Sequence, residues 1–158
     1  MTNVLVREVS LAETHALRQA VLRPHQTVED VAAEDPTDAF AVGAFTGGAL
    51  IAVGVVAPDG EPGAWRVRGM ATAPHARGNG AGTAVLDALV QHALAHGASR
   101  VWCNARTPAL SLYERAGFSA VSEEFELPQI GPHYVMERRT GMAGKSFEIS
   151  VASDPKAP

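Results

Sequence analysis

The sequence predicts a mixed α/β domain with a largely antiparallel sheet, and three observations predict it. Two apolar runs, 39–45 and 49–56, are separated only by Thr46-Gly47-Gly48, which is the pattern of a hairpin. A third run, Trp65 to Thr72, alternates polar and apolar residues after the turn Pro58-Asp59-Gly60-Glu61-Pro62-Gly63, extending the hairpin to a meander. Beyond it the period changes from two to that of a helix across a glycine-rich turn, so a strand feeds a long helix.

Taken in order, Asn3 to Val9 carries Val4, Leu5, Val6 and Val9 and reads as a strand, with Ser10 placed as the N-cap of a helix whose first turn is acidic. That helix presents Leu11, Ala12, His15, Ala16, Gln19 and Leu22 at spacings of three and four, contains a basic Leu17-Arg18 to Arg23 segment, and ends at Pro24. From His25 to Asp38 the chain is polar and acidic, a loop with one helical turn at Val28 to Ala33. The hairpin and meander follow. After the glycine turn, Val85, Ala88, Leu89 and His92 share a helical face with Leu86, Val90, Ala93 and Leu94 beside it, and Gly97 supplies a left-handed cap. Arg100 to Ala105 is a short buried strand. Thr107-Pro108 opens another helix, with threonine as cap, running to Ala116; Phe118 to Phe125 and His133 to Arg139 are two further strands.

A chain of 158 residues suits one domain, over 1–140, followed by a tail at 141–158. In the tail Phe147, Ile149 and Val151 alternate with polar residues, which allows an added strand, on this sheet or on that of a second copy in a homodimer, or a disordered end. The net charge of −4 and the lack of a basic run beyond Arg138-Arg139 argue against nucleic acid as the main partner. No signal-peptide pattern opens the chain, and no run reaches the roughly 18 apolar residues that a membrane span needs. The expectation is a cytoplasmic protein with no membrane partner. The single cysteine, Cys103, excludes an internal disulfide framework and argues against a cysteine-built metal site, and the six scattered histidines leave metal ligation unsupported, so no metal is expected.

The functional signal lies in Arg77-Gly78-Asn79-Gly80-Ala81-Gly82-Thr83. Without side chains in the way, its amides converge where the helix begins, and a helix N-terminus attracts anions. Together with the Arg77 guanidinium they suit a pyrophosphate. A P-loop would need Gly-Lys-Ser/Thr, and the only lysines are Lys145 and Lys156. A dinucleotide fingerprint would need a third glycine three residues after the second and an acid about twenty further on, where this chain has Ser99 and Arg100.

Arg77, Gly80 and Gly82, read as Arg-x-x-Gly-x-Gly after Met70-Ala71-Thr72-Ala73-Pro74, resemble the acetyl-CoA loop of the GCN5-related N-acetyltransferase (GNAT) superfamily. A second region, Ala109, Tyr113, Gly117 and Phe118, matches the helix that flanks the coenzyme sulfur in that superfamily. The ending Gly131-Pro132-His133-x-x-Met136 looks like one subgroup of it. The resemblance covers 65–139 in motif and the N-terminal third in pattern only.

The resemblance implies a GNAT fold with splayed central strands and an acetyl-CoA-dependent N-acetyltransferase acting directly on a primary amine, of a small molecule. It implies that Met70, Ala71 and Thr72 hold pantetheine through backbone groups, that Arg77, Gly78, Asn79, Gly80, Ala81, Gly82 and Thr83 hold the diphosphate, and that Ala109 and Tyr113 border the sulfur. Tyr113 is the candidate general acid, against the competing reading of a core aromatic that closes its helix. Many members carry an asparagine where this chain has Arg106; Asn104 is the nearest one. The base is open between His133, Glu124, Glu126 and a water chain, because the central strand offers Arg66 and Arg68 where some relatives use glutamate. Arg68 points to an acceptor bearing a carboxylate or phosphate, or else to a surface ion pair. Cys103 reads as an inert core thiol. The alternative function is an acyl-CoA-binding module of the same fold without catalysis.

Overall fold

The computed structural model describes residues 3–140; the alternating tail lies outside them. Strand β1 (Leu5–Val9) leads into helix α1 (Leu11–Leu22) and the short helix α2 (Val28–Ala33), followed by the meander β2 (Phe40–Thr46), β3 (Ala49–Pro58) and β4 (Ala64–Thr72). Then come α3 (Ala81–Ala95), β5 (Arg100–Arg106), α4 (Leu110–Arg115), β6 (Ser119–Ala120), β7 (Phe125–Leu127) and β8 (Gly131–Arg139). The eight strands form one sheet in the order β1-β2-β3-β4-β5-β8-β6, with β7 also on β8. Every pairing is antiparallel except β4 with β5.

Local chemistry fixes the ends of the early helices. Ser10 Oγ accepts the Glu13 amide at 3.2 Å while the Glu13 carboxylate accepts the Ser10 amide at 2.8 Å, a capping box that satisfies two otherwise unpaired donors. Thr27 and Asp30 repeat the device at the head of α2, at 3.0 Å in both directions.

Helix α3 buries Val85, Leu86, Leu89, Val90 and Ala93 against Val42, Val56 and Val67 of the sheet, and Tyr113 and Phe118 join the same cluster. Each large apolar side chain buried this way contributes about 1.5–3 kcal/mol. Gly54 permits the close approach: a Cβ there would stand 2.5 Å from Met70 Sδ and 2.7 Å from Leu89 Cδ1. At the C-terminal end of α3, His92 and His96 stand one turn apart and stack with ring centroids 4.1 Å apart, and His92 stacks on Phe40 at 3.6 Å. No group of three or more metal-ligating side chains occurs among the described residues, nor is any helix there long and apolar enough to cross a membrane.

Three sequence expectations need correction. The buried face of α1 is not the apolar one: Ala12 and Ala16 are exposed, while Thr14 and Arg18 are buried. Thr14 Oγ1 donates to the Leu11 carbonyl at 2.7 Å and accepts from Arg18 at 3.0 Å, and Arg18 reaches Asp35 at 2.7 Å, so these polar groups enter the interior fully paired. The strand expected over 118–125 is broken into β6 and β7, because Ser122 Oγ takes the Val135 amide at 2.9 Å and ends the ladder. Thr107 does not cap its helix; its hydroxyl donates to Glu124 at 2.8 Å, and the segment begins as a single 3-10 turn over Thr107–Ala109.

What positions the site is a divergence in the centre of the sheet. β4 and β5 pair only from Ala64↔Arg100 to Arg66↔Trp102. In β4 the register with β3 jumps from Arg68↔Val55 to Ala71↔Val53, so Gly69 and Met70 oppose Gly54 alone. Gly69 holds φ +67°, the conformation of a glycine-led bulge that bends and twists its strand.

Gly54→Ala is expected to cost about 1–3 kcal/mol through overpacking between sheet and α3. Urea unfolding checks this: a lowered midpoint at constant slope is the expected result, and an unchanged midpoint contradicts the close packing.

Candidate active site

The bulge opens a cleft. A cavity of about 720 Å³ runs from the turn before α3, through the gap between β4 and β5, to the C-terminal end of α1. Of the residues expected to hold the coenzyme, all line this cavity except Ala71, whose side chain is buried in the sheet.

At the turn, Gly78 and Gly80 both have φ +86°, which a side chain would strain. Nothing lies within 4 Å of where either Cβ would stand, so the outer side of the turn is open. Asn79 Oδ1 accepts the Ala81 amide at 3.1 Å, and the first helical bond runs from the Ala84 amide to the Gly80 carbonyl at 3.0 Å. The amides of Gly82 and Thr83 lie between, in the first turn, where a helix has no carbonyl of its own to offer them. A Cβ on Gly82 would stand 3.2 Å from Thr72 Oγ1, so glycine keeps the end of β4 close to the helix start. Exposed Arg77 directs its Nε to the Thr72 carbonyl at 3.4 Å, and its terminal nitrogens have no partner among the described residues. Unpaired amides, the positive end of the helix and a guanidinium are all features an anionic diphosphate requires, and the residues present fit it.

Farther in, Tyr113 is buried, packs edge-on to Phe118 with ring centroids 5.7 Å apart, and lines the cavity. Burial raises its hydroxyl well above the ordinary phenol value of 10.0; neighbouring Cys103 adds to the rise and Arg106 opposes it. The phenol therefore stays protonated at any working pH. Cys103 is buried too, and desolvation pushes its thiol up to about 12, with Arg66 pulling weakly the other way. A thiol so far from ionisation is neither a nucleophile nor a ligand at neutral pH.

His133 is buried at the cavity wall, stacked on Phe125 with centroids 5.9 Å apart. Its Nδ1 lies 2.8 Å from the Gly131 carbonyl. A carbonyl only accepts, so Nδ1 carries the proton and Nε2 of the neutral ring is the basic nitrogen. Glu124 and Glu126, the other expected bases, are exposed and do not line the cavity; Glu124 is held instead by Thr107. The structure brings Tyr113 and His133 to one cavity and leaves both glutamates outside it.

Asn104 and Arg106 of β5 line the cavity as well. Arg106 donates to the Leu22 carbonyl at 2.7 Å, tying the end of α1 to the diverging strand. On β4, Arg66 lies 3.6 Å from Asp59 and over the Trp102 ring at 4.9 Å, whereas Arg68 has no ion-pair partner among the described residues. The wall also contains Arg18, which the sequence showed only as part of a basic segment. A Cβ on Gly69 would meet Arg18 Nε at 2.9 Å, so the guanidinium rests directly on the bulge. No local pattern signals this, because its partner Asp35 is 17 residues away.

Comparison with known proteins agrees with this fold. The profile of the Acetyltransferase (GNAT) family matches residues 8–118. An uncharacterized N-acetyltransferase of Bacillus subtilis (strain 168), YitI, is 36% identical over 139 residues, covering 83% of this chain and 93% of that protein. Among solved structures, the ribosomal-protein-S18-alanine N-acetyltransferase from Escherichia coli superposes with a TM-score of 0.73 at 16% identity, over 93% of this chain and 100% of that one. An aminoglycoside 6'-N-acetyltransferase complexed with coenzyme A does so with a TM-score of 0.71 at 13% identity, over 85% of this chain and 96% of that one. These last two likenesses are of fold.

The Cys103 thiol is expected to react with a disulfide reagent at pH 7.5 at least about 100-fold more slowly in the native protein than in urea, since it is both buried and protonated. Rapid stoichiometric labelling of the native protein would contradict its placement.

Proposed function

The chain belongs to the acetyltransferase (GNAT) family and is an acyl-CoA-dependent N-acyltransferase; from that premise we propose that it transfers an acetyl group from acetyl-CoA directly to the primary amine of a small molecule. Tyr113 is the general acid in this reading and His133 the general base. The observation that carries it is the continuity of one cavity from the glycine turn, past Tyr113, to His133.

Acetyl-CoA, when bound, supplies a thioester whose acyl carbon accepts the amine and whose sulfur leaves as a thiolate. The chain's own residues handle the rest. The Gly82 and Thr83 amides and Arg77 are positioned to hold a diphosphate, fixing the coenzyme at the end far from the reaction. The gap between β4 and β5 leaves main-chain groups around Met70 and Thr72 unpaired toward β5, available to hold an extended pantetheine arm as a strand would be held. Main-chain amides there also suit a carbonyl oxygen that gains negative charge during attack.

An amine attacks only when neutral. His133, with its basic nitrogen defined by the Nδ1 bond to Gly131, removes the proton. Tyr113 donates one to the departing sulfur. Its raised pKa does not disqualify it: the same desolvation that raises the phenol raises a thiolate enclosed by the same walls, so the two keep about the difference in basicity they have in water.

The test is thiol release from acetyl-CoA in the presence of a panel of primary amines. Tyr113→Phe should lower kcat by about 100-fold or more, in the range of a general acid, while leaving coenzyme affinity within a few-fold. Because Tyr113 remains protonated far above its ordinary value, wild-type activity should show no alkaline decline from this group up to about pH 10. Unchanged turnover in Tyr113→Phe would remove the residue from the mechanism. Tight coenzyme binding with no turnover on any amine would leave a binding module.

A further inference from the structure

Arginine dominates the acceptor end of the cavity, and its members sort by what already neutralises them. Arg18 is spent on Asp35 and Thr14. Arg66 has Asp59 at 3.6 Å and the face of Trp102. Arg77 belongs to the coenzyme end, on the glycine turn. Arg106 and Arg23 each give one nitrogen to the Leu22 carbonyl, a neutral acceptor, and neither has a carboxylate partner among the described residues; Arg115 is exposed.

Arg68 stands apart. It lines the cavity from β4, one residue before the bulge, half-buried and without an ion pair among the described residues. Burial lowers its pKa and the neighbouring Arg66 lowers it further, while Asp59 and Glu34 oppose the shift without forming an ion pair with it. Among the described residues the only acidic one in the cavity wall is Glu34, exposed at the rim, which also accepts from Gln26 at 3.4 Å.

We infer that the acceptor amine carries an anionic group, a carboxylate or a phosphate, and that Arg68 binds it with Arg106 alongside. Both anions match the planar fork of a guanidinium, and a partly desolvated cleft strengthens the pair relative to water. A polycationic amine would place positive charge against Arg68 and Arg106, with exposed Glu34 as the carboxylate of the described wall and Asp59 already beside Arg66. The coenzyme does not account for these arginines, since its diphosphate is provided for at the opposite end of the cavity. Arg68 in this role sets specificity; it takes no part in the proton transfers.

The inference rests on the acetyl-transfer reading for the identity of the ligand, so its test includes binding as well as turnover. Protein saturated with coenzyme A is titrated calorimetrically with L-glutamate, phosphoethanolamine, phenethylamine and spermidine, and the same amines are offered with acetyl-CoA in the thiol-release assay. Glutamate or phosphoethanolamine should bind and be acetylated, the better of the two identifying the anion, and spermidine should not. Arg68→Gln should weaken that amine about 10- to 100-fold in Kd and KM, the range for a hydrogen bond to a charged group, without changing coenzyme affinity or the weak binding of phenethylamine. Arg68→Lys should recover part of the loss. If an anionic amine binds through Arg68 but none is acetylated, the acetyl-transfer reading fails and this one stands. Tightest binding of spermidine or phenethylamine, equal loss for all amines in Arg68→Gln, or no binding of either anionic amine overturns it.

Discussion

The separation of β4 from β5 is the constraint on which the rest of the molecule depends. Two parallel strands that stay paired bury their main-chain groups in each other and leave no room between them. Here the pairing stops after Arg66↔Trp102, because Gly69, at φ +67°, inserts an extra residue into β4 and turns it away. The gap becomes a site only because both sides are held open. On one side Arg18, anchored by Asp35 and Thr14, rests against Gly69. On the other, seven consecutive pairs bind β5 to β8, from Arg100↔Arg139 to Arg106↔His133, and carry His133 to the cavity wall.

The same arrangement sets the electrostatics. Main-chain donors gather where α3 begins, and guanidinium groups line the far end, so the cavity favours anions at both limits. Between them lies the buried region around Tyr113 and Cys103, where desolvation keeps both groups protonated. A buried centre in which the phenol and thiol stay protonated, with Arg106 and Arg66 near them, suits a reaction in which an anionic coenzyme delivers an uncharged acyl group. The cysteine, the stronger nucleophile in water, is silenced by the same burial that keeps the phenol a proton donor.

Much of this was legible in the sequence, for reasons that are local. The alternation through Trp65 to Thr72, the glycines at 78, 80 and 82, and the apolar face of α3 each depend on neighbours within a few residues, and the turn at Val28–Ala33 is set by the Thr27–Asp30 capping box. What was not legible depends on distant partners. The buried face of α1 is polar because Asp35, in a loop without pattern, pairs with Arg18. The strand expected at 118–125 breaks because Ser122 meets the Val135 amide 13 residues on. Glu124 looked like a base by composition alone, and only the fold reveals it exposed and bound to Thr107. Arg68 was visible as a cation, but its lack of an ion-pair partner among the described residues is a fact of three dimensions.

The central claim is that main-chain amides at the start of α3 hold a diphosphate. Calorimetric titration with coenzyme A and, separately, with pantetheine, which has the same thiol arm and no diphosphate, tests it most directly. The account predicts that coenzyme A binds and that pantetheine binds at least about 100-fold more weakly, as loss of several charge-assisted hydrogen bonds requires. Equal affinities, or no heat with coenzyme A, would contradict it.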